Sequence, residues 1–366
     1  MATARQFLTL DKPFPMRRGG SLQSVQIAYE TWGELNAARD NAILIFTGLS
    51  PSAHAASSAL DCSAGWWEDM VGPGRPVDTH RFFVVCVNSL GSVFGSTSPA
   101  SINPQTGQPY RLSFPILSVE DIARGGYEVI RSLGISQLKS VIGPSLGGMT
   151  VLAFAALFPE VARNLISISG AARSTPFTIA LRSLQREMIR KDPAWQGGNY
   201  LVDAVPVEGM RLARKLGMIT YRSAKEWLLR FGRERASVEH NPDDPFSIDF
   251  EIEAYLESHA SKFVGQFDPN AYLYLSRAMD LFDLADHGEG SLSEALKRFK
   301  IDSALIIGVE TDLLFPIEQQ QELAEGLINA GRDVKFARLN SLQGHDSFLV
   351  DMDQFRPLIG DFLRGL

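Results

Sequence analysis

Cysteine, excess basic charge and long apolar runs are all scarce in this sequence of 366 residues. Its two cysteines, Cys62 and Cys86, supply neither a disulfide framework nor the spacing of a metal site. The net charge of -7 is spread along the chain, so we expect no nucleic-acid partner. No apolar run approaches the roughly 20 residues of a membrane span, and the amino terminus lacks a secretory pattern. We therefore expect a cytoplasmic protein with no membrane partner.

Short apolar runs recur along the chain, and helical patterns separate them. Each run is rich in β-branched or aromatic residues and apolar throughout, which is typical of strands buried on both faces of a parallel sheet. The alternation predicts an α/β fold with helices on both sides of the sheet. The predicted strands span 42–46, 82–87, 138–142, 164–169, 304–309 and 334–339, and the clearest helices span 118–133 and 147–158.

The pattern changes between residues 177 and 300. Long charged helical patterns occur there without a convincing strand, and the strand pattern resumes at Ile301. We therefore predict that residues 1–176 and 301–366 form a discontinuous α/β core. Residues 177–300 are predicted to form an inserted helical lid above the ends of the strands.

One serine stands between glycines where a predicted strand gives way to a helix, since residues 143–148 read G-P-S-L-G-G. A sharp strand-to-helix turn of this kind needs small neighbours and leaves the serine hydroxyl exposed at the carboxyl end of the sheet. A G-x-S-x-G match alone occurs often by chance, but this one has the expected strand before it and helix after it. We predict that Ser145 is a catalytic nucleophile.

A serine hydroxyl is a poor nucleophile until a base accepts its proton, and an acid must orient that base. His345 lies in a short loop before the last helical pattern, and Asp312 follows the predicted strand 304–309. Glu310, in the same turn, is an alternative acid. The order serine, acid, histidine along the chain is that of the α/β-hydrolase fold. We therefore predict this fold, with Ser145, Asp312 and His345 as its triad.

The loop after the first predicted strand, residues 47–54, is where this fold supplies an oxyanion donor. The backbone N–H groups of Leu49 and Leu146 would bind the developing oxyanion, each contributing roughly 3 kcal/mol. His54, at the end of the same loop, is predicted to lie near the mouth of the site, as a substrate contact rather than as the base.

Beyond these motifs, the chain resembles the homoserine O-acyltransferase family of α/β-hydrolase-fold transferases along nearly its whole length. Members of that family move an acyl group from a coenzyme A thioester to an amino-acid hydroxyl through an acyl-serine. The resemblance implies small-molecule substrates, coenzyme A as a co-substrate without a resident cofactor or metal, and a homodimer. The matching segments are 65–67 (GWW), 72–74 (GPG), 88–91 (NSLG), 95–97 (GST), 99–101 (PAS), 147–149 (GGM), 212–215 (LARK), 219–221 (ITY), 267–268 (FD) with Tyr272, and 343–346 (QGHD).

The resemblance also carries roles for individual residues. It implies that Ser145, Asp312 and His345 form the triad, and that Arg214 and Asp346 hold the carboxylate and ammonium groups of the amino acid. A guanidinium and a carboxylate at fixed separation would orient the acceptor hydroxyl toward the acyl-enzyme. The residues alone leave two other interpretations open, a solvated helix residue for Arg214 and a helix cap for Asp346.

The chain also departs from the family pattern. Residues 48–54 read G-L-S-P-S-A-H, where homoserine acyltransferases tend to have a glycine and further polar residues at the positions of Pro51 and Ser52. In the elbow, Pro144 stands where the family has glycine or asparagine, and Thr150 stands where the family has glutamine. The loop resembles the branch that uses serine, although one methylene gives only about 1 to 3 kcal/mol of discrimination. The predicted specificity residues are Pro51, Ser52, Ala53 and His54.

A succinyl donor ends in a carboxylate, so an enzyme that uses it needs a cation near the acyl tail. Arg182 and Arg186, at the start of the predicted lid, could supply this cation or could be surface residues. Because the resemblance is to the serine-using branch, we expect succinyl transfer from succinyl-CoA to L-serine, a step toward cysteine. The alternatives are succinyl or acetyl transfer to L-homoserine in methionine synthesis, and a serine esterase that uses the same triad.

Overall fold

The computed structural model describes residues 4–201, 203–237 and 243–366. Its strands are β1 (Gln6–Thr9), β2 (Phe14–Pro15), β3 (Ser21–Leu22), β4 (Gln26–Trp32), β5 (Ala42–Phe46), β6 (Val71–Gly72), β7 (Val77–Asp78), β8 (Phe83–Val87), β9 (Ser140–Pro144), β10 (Asn164–Ile168), β11 (Ser303–Val309) and β12 (Asp333–Leu339). Its α-helices are α1 (Val119–Ser132), α2 (Leu146–Leu157), α3 (Pro176–Lys191), α4 (Val207–Tyr221), α5 (Ala224–Phe231), α6 (Glu251–Phe263), α7 (Pro269–Leu281), α8 (Leu292–Lys297), α9 (Ile317–Asn329), α10 (Ser347–Val350) and α11 (Met352–Arg364).

Eight strands form one sheet in the order β1-β4-β8-β5-β9-β10-β11-β12. Six neighbouring strands of this sheet pair in parallel, in the order β8, β5, β9, β10, β11 and β12. Their bounds lie within two residues of the six predicted strands. Strands β1 and β4 were not predicted from the sequence. β4 pairs antiparallel with β8, and β1 pairs antiparallel with β4 at the edge of the sheet. β1 is an exposed edge strand, and β4 contains Glu30 and Thr31, so neither has the continuous apolar run of a central strand.

The sheet is covered on both faces, which explains why its central strands are apolar throughout. All five residues of β5 are buried. Leu44 and Phe46 join a large cluster with side chains of α1 and α2, whereas Ile43 and Ile45 join a second cluster with Trp67 and side chains of α11. Because successive side chains of a strand point to opposite faces, the two clusters fix the register of the strands and hence the positions of the loops at their ends.

Helices α3 to α8 lie in sequence between β10 and β11, and the described part of this segment contains no strand element. Helix α3 packs against α4 and α7, and α4 packs against α6. Side chains of α3, α4 and α7 line the cavity above Ser145, as described below. The division into a core of residues 1–176 and 301–366 and a lid of residues 177–300 stays a prediction. Within the described ranges, no helix is long and apolar enough to cross a membrane.

Candidate active site

Ser145 occupies the sharp turn between β9 and α2. Its backbone angles are φ 57° and ψ -120°, a strained conformation for a residue with a side chain. The turn is also tightly packed, because a Cβ atom added to Gly147 would lie 2.3 Å from the carbonyl oxygen of Phe46. At Gly143, an added Cβ would lie 2.2 Å from the carbonyl oxygen of Gly147. Gly143 therefore allows β9 to approach α2, and Gly147 allows α2 to approach the end of β5.

The structure brings Ser145, His345 and Asp312 into one hydrogen-bonded chain. The Nε2 atom of His345 lies 2.8 Å from the Oγ atom of Ser145, and its Nδ1 atom lies 2.7 Å from a carboxylate oxygen of Asp312. All three residues are buried, with at most 8% of their surface exposed. This arrangement can move a proton from the serine hydroxyl to the imidazole while the carboxylate stabilises the imidazolium.

The loop that follows β11 holds both Asp312 and His345 in place. The second carboxylate oxygen of Asp312 accepts hydrogen bonds of 2.9 Å from the backbone N–H groups of Leu314 and Phe315. The ring of Phe315 stacks on the imidazole of His345 at a centroid distance of 5.1 Å. Glu310, the alternative acid, instead forms an ion pair with Arg338 and lies outside the hydrogen-bonded chain.

Two backbone N–H groups are available to an oxyanion beside Ser145. Leu146 is the first residue of α2, so its N–H has no partner within the helix. Leu49 lines the cavity above the serine. Neither N–H donates a hydrogen bond to another part of the chain that the structure describes. Both groups could therefore stabilise negative charge that develops on a carbonyl oxygen attached to Ser145.

The cavity above Ser145 has a volume of about 160 Å³ and contains the predicted amino-acid contacts. Arg214 lies over the rings of Phe263 and Tyr221, at 4.6 Å and 5.7 Å from their centroids. Its Nε atom is buried without a hydrogen-bond partner, and its guanidinium forms no ion pair with any residue that the structure describes. Arg214 thus faces the cavity from α4 without an ion pair to any described residue, rather than lying in solvent on the helix surface.

Asp346, the residue that follows His345, lines the same cavity. Its carboxylate lies 3.2 Å from the guanidinium of Arg222. It precedes α10 but makes no capping hydrogen bond. Burial raises the pKa of Asp346 above its usual range, although the positive charges of Arg222 and Arg214 oppose this effect. A ligand cation beside this carboxylate would therefore favour its ionised form.

The two arginines predicted to contact the acyl tail share one buried carboxylate, that of Asp280 on α7. The Nε atom of Arg182 lies 2.7 Å from one oxygen of Asp280, and a guanidinium nitrogen of Arg186 lies 2.6 Å from the other. The Asp280 side chain is 1% exposed. Two cations thus share one anion, which leaves one positive charge in excess. Arg182 lines the cavity, whereas Arg186 lies behind it and donates a hydrogen bond to Ser276, which does line the cavity.

Of the four predicted specificity residues, Pro51 is the one that lines the described cavity. Ala53 is fully buried, and Ser52 accepts a hydrogen bond from the indole of Trp66 through its backbone carbonyl. The structure also does not bring His54 to the cavity as a substrate contact. Its Nδ1 atom lies 2.8 Å from Glu30 and its Nε2 atom 2.9 Å from the carbonyl of Ser63.

The pair formed by His54 and Glu30 anchors the oxyanion loop to β4. Burial lowers the pKa of His54, but the hydrogen bond and negative charge of Glu30 outweigh it, and the pKa lies above its ordinary value. Because Glu30 is buried and its strand was not predicted, this contact was missed by the sequence analysis. A single carboxylate in an otherwise largely apolar strand is the signal that would have drawn attention to it.

Asp280 and two tyrosines of the cavity wall also belong to the site, although neither was predicted from the sequence. Asp280 follows the buried residues Ala278 and Met279 near the end of α7. A carboxylate beside buried residues is usually paired with a cation, which is the signal that could have indicated it. Tyr221 and Tyr272 line the cavity, and burial raises the pKa of both phenols. Both tyrosines occur in the segments that carry the family resemblance, but the sequence did not show that they line the same cavity.

The comparisons with known proteins agree with this geometry. The α/β hydrolase fold matches residues 41–350 of the chain. A serine O-succinyltransferase of Litchfieldella anticariensis is 58% identical over 363 residues, which cover 99% of each chain. A crystal structure of homoserine O-acetyltransferase from Bacillus anthracis is similar with a TM-score of 0.91 and 31% identity, covering 98% of this chain and 97% of that one. Esterase E22 is similar with a TM-score of 0.88 and 30% identity, covering 98% and 99%.

Proposed function

Because this chain belongs to the α/β-hydrolase fold family and, within it, to the serine and homoserine O-acyltransferases, we propose that it transfers a succinyl group from succinyl-CoA to the hydroxyl of L-serine. The observation that carries the proposal is the charge of the cavity. Near Ser145, Arg182 supplies positive charge in excess of its partner carboxylate. In the same cavity, Arg214 supplies a cation and Asp346 an anion.

These charges match the two substrates. A succinyl group attached to Ser145 presents one carboxylate, which Arg182 can bind because Asp280 neutralises only one of the two arginines beside it. L-Serine presents one carboxylate and one ammonium group, which fit Arg214 and Asp346. An acetyl group would leave the positive charge near Arg182 without a partner, which favours the succinyl donor.

In the first half of the proposed reaction, the Oγ atom of Ser145 attacks the thioester carbonyl of succinyl-CoA while His345 accepts its proton. The backbone N–H groups of Leu49 and Leu146 stabilise the oxyanion. The carbon–sulfur bond then breaks, His345 returns the proton to the leaving thiolate, and coenzyme A departs. The product is a succinyl ester on Ser145.

In the second half, the hydroxyl of L-serine attacks that ester. His345 accepts the hydroxyl proton and then delivers it to the Oγ atom of Ser145 as the ester bond breaks. O-Succinyl-L-serine leaves, and the enzyme returns to its starting state. Arg214 and Asp346 act by orienting the hydroxyl, so that it competes with water for the acyl-enzyme.

An esterase is the second candidate function, because esterase E22 has a similar structure. Hydrolysis would use the same first half-reaction, with water in place of L-serine. The cation and anion at Arg214 and Asp346 favour the transferase, since water requires neither group. Transfer to L-homoserine differs from the first proposal by one methylene of the acceptor, in a small cavity with Pro51 in its wall.

The test is the release of coenzyme A from succinyl-CoA and from acetyl-CoA, each with L-serine, with L-homoserine and with no acceptor. We expect fast, sustained release of coenzyme A only from the combination of succinyl-CoA and L-serine. A preference for L-homoserine or for acetyl-CoA would change the substrate assignment, and equally fast release without an acceptor would identify a hydrolase. The Ser145→Ala variant is the control, because it should neither release coenzyme A nor gain the mass of a succinyl group.

The proposed product has an activated leaving group on the β-carbon of serine. Replacement of that group by a sulfur nucleophile would yield cysteine, so we place the enzyme in amino-acid biosynthesis on the route to cysteine. A cytoplasmic location and a homodimer are further parts of this proposal. The exposed apolar side chains of Leu184 on α3 and Leu212 on α4 support the homodimer.

A further inference from the structure

A second cavity, about 910 Å³ in volume, lies against α3 and α7 and shares no lining residue with the cavity at Ser145. We call it the α3–α7 groove, and the segment 112–117 and Arg18 complete its wall. Ligand sites typically measure about 300 to 1,000 Å³. The active-site cavity is smaller, so the α3–α7 groove is the larger space available to a bound molecule in the described part of the chain.

The α3–α7 groove is strongly cationic in a protein whose net charge is -7. Its lining contains five cations, Arg18, Arg186, Arg190, Lys191 and Arg277, and one carboxylate, that of Glu187. Arg186 is paired with Asp280. The other four cations form no ion pair with the residues that the structure describes, and Arg18 instead donates to the carbonyl oxygen of Leu281.

The floor of the groove is apolar and partly aromatic. Leu112 and Ile116 are about half exposed there, although they are large apolar side chains. Tyr274 is fixed beside them, because its hydroxyl donates a 2.7 Å hydrogen bond to the carbonyl of Phe114. Unpaired guanidinium and ammonium groups around an apolar floor suit a ligand that combines a flat ring with phosphate groups, since arginine binds phosphate through paired hydrogen bonds.

We propose that the α3–α7 groove binds a phosphorylated nucleoside, with the base on the apolar floor and the phosphates among Arg190, Lys191 and Arg277. The enzyme's own donor offers such a group, because coenzyme A ends in a 3′-phosphorylated adenosine diphosphate. This source of the nucleoside rests on the proposed function. A free adenine nucleotide that modulates the enzyme has the same chemistry and is the other source.

Helices α3 and α7 contribute side chains both to the groove and to the active-site cavity. Arg182 on α3 and Ser276 on α7 face the cavity, whereas Arg186 and Arg277 on the same helices face the groove. Arg186 joins the two sides, because its guanidinium contacts both Ser276 and Asp280, and Asp280 also holds Arg182. A phosphate bound beside Arg186 would therefore act on the same ion-pair network that lines the acyl site.

The direct test is calorimetric binding of adenosine 3′,5′-bisphosphate to the intact protein and to the Lys191→Ala, Arg277→Ala double variant. Both side chains are exposed and unpaired within the described residues, so their removal leaves no buried partner. We expect at least about tenfold weaker binding, because the double variant loses two of the cations that would form charge-assisted hydrogen bonds with the phosphates. The matched control is the Lys12→Ala, Lys225→Ala variant, whose exposed lysines lie outside the groove.

The source of the nucleoside is decided by steady-state kinetics of the same variants. If the groove holds the end of the donor, the double variant should raise the KM for succinyl-CoA but not for L-serine, and the bisphosphate should compete with succinyl-CoA. If a free nucleotide is the occupant, binding should weaken in the variant without a change in the KM for succinyl-CoA.

Failure of this inference is distinct from failure of the proposed function. No binding of the bisphosphate to the intact protein, or equal binding by the double variant, would overturn the groove as a nucleoside site whether or not the enzyme transfers succinyl. Normal binding by a protein that fails to transfer succinyl would refute the proposed reaction and leave the nucleoside site, with a free nucleotide as its occupant.

Discussion

Arg214 and Arg182 face one cavity, but their surroundings give them different capacities to bind an anion. Arg182 belongs to a network in which two arginines share Asp280. Arg214 rests on aromatic rings and forms no ion pair with the described residues. Because a carboxylate ligand would give Arg214 its first anionic partner, this residue should contribute most to the binding of the acceptor.

Replacing Arg214 by glutamine should raise the KM for L-serine by about 10- to 100-fold, the equivalent of one lost charge-assisted contact. Release of coenzyme A in the first half-reaction should change much less, because the acyl donor does not need this guanidinium. The measurement is steady-state kinetics with L-serine varied, together with a single-turnover burst without acceptor. The Arg214→Lys variant keeps the charge, so its KM for L-serine should lie between that of the parent and that of Arg214→Gln. An unchanged KM for L-serine would remove the role assigned to Arg214.

At Arg182, substitution by glutamine should reduce the preference for succinyl-CoA over acetyl-CoA by about tenfold, because the acyl carboxylate loses its cation. The ratio of kcat/KM for the two donors is the measurement. Arg163→Gln is the control, since Arg163 forms an exposed ion pair with Asp302 away from the cavity. The same donor ratio in the Arg182 variant and the control would show that the acyl tail binds elsewhere.

Among the elements, the pair of β9 and α2 sets the position of the nucleophile. Helix α2 lies so close to β9 at Gly143, and to the end of β5 at Gly147, that neither position has room for a side chain. Helix α2 is buried over nearly its whole length, so it cannot shift outward to relieve a clash. The strained φ of Ser145 is therefore maintained by packing on both sides of the turn.

Substituting Gly147 by alanine should lower the free energy of unfolding by about 2 to 4 kcal/mol and greatly reduce activity, because the new Cβ would meet the backbone of β5 and its following loop. Urea unfolding measures the change. Gly365→Ala is the matched control, since its φ is -74° and the nearest atom to a new Cβ is 3.4 Å away. Equal stability of the two variants would mean that the turn can relax.

For the molecule as a whole, Glu120 links three distant parts of the chain. It lies on α1, while Arg17 comes from the amino-terminal segment and His287 from the segment between α7 and α8. The distances from its carboxylate are 2.9 Å to Arg17 and 3.1 Å to His287. Burial opposes ionisation of Glu120, but the hydrogen bond from His287 and the charge of Arg17 outweigh it and lower its pKa.

A carboxyl group whose pKa is lower in the folded state stabilises that state above the unfolded pKa and loses this effect as the pH falls through the folded pKa. Glu120→Gln should therefore cost about 1 to 3 kcal/mol at pH 7, and the difference from the parent should shrink as the pH falls toward 4 and below. Chemical denaturation at several pH values measures it. The control is Glu128→Gln on the same helix, which has a partly exposed ion pair with Arg131. A difference that does not vary with pH would contradict this account.

By itself, the sequence determined the parallel strands, the elbow and the order of the three candidate catalytic residues. These features depend on local patterns, namely apolar runs, a serine flanked by glycines and short loops at strand ends. β1 and β4 escaped prediction because β1 is an exposed edge strand and β4 is buried through its pairing with β8, which is distant in the chain.

Only the tertiary structure decided how charges are shared. Arg182, Arg186 and Asp280 meet because α3 packs on α7, and His54 turns toward Glu30 rather than toward the cavity. The reason is physical, since electrostatic pairing depends on distances of a few ångströms between side chains that lie far apart in sequence.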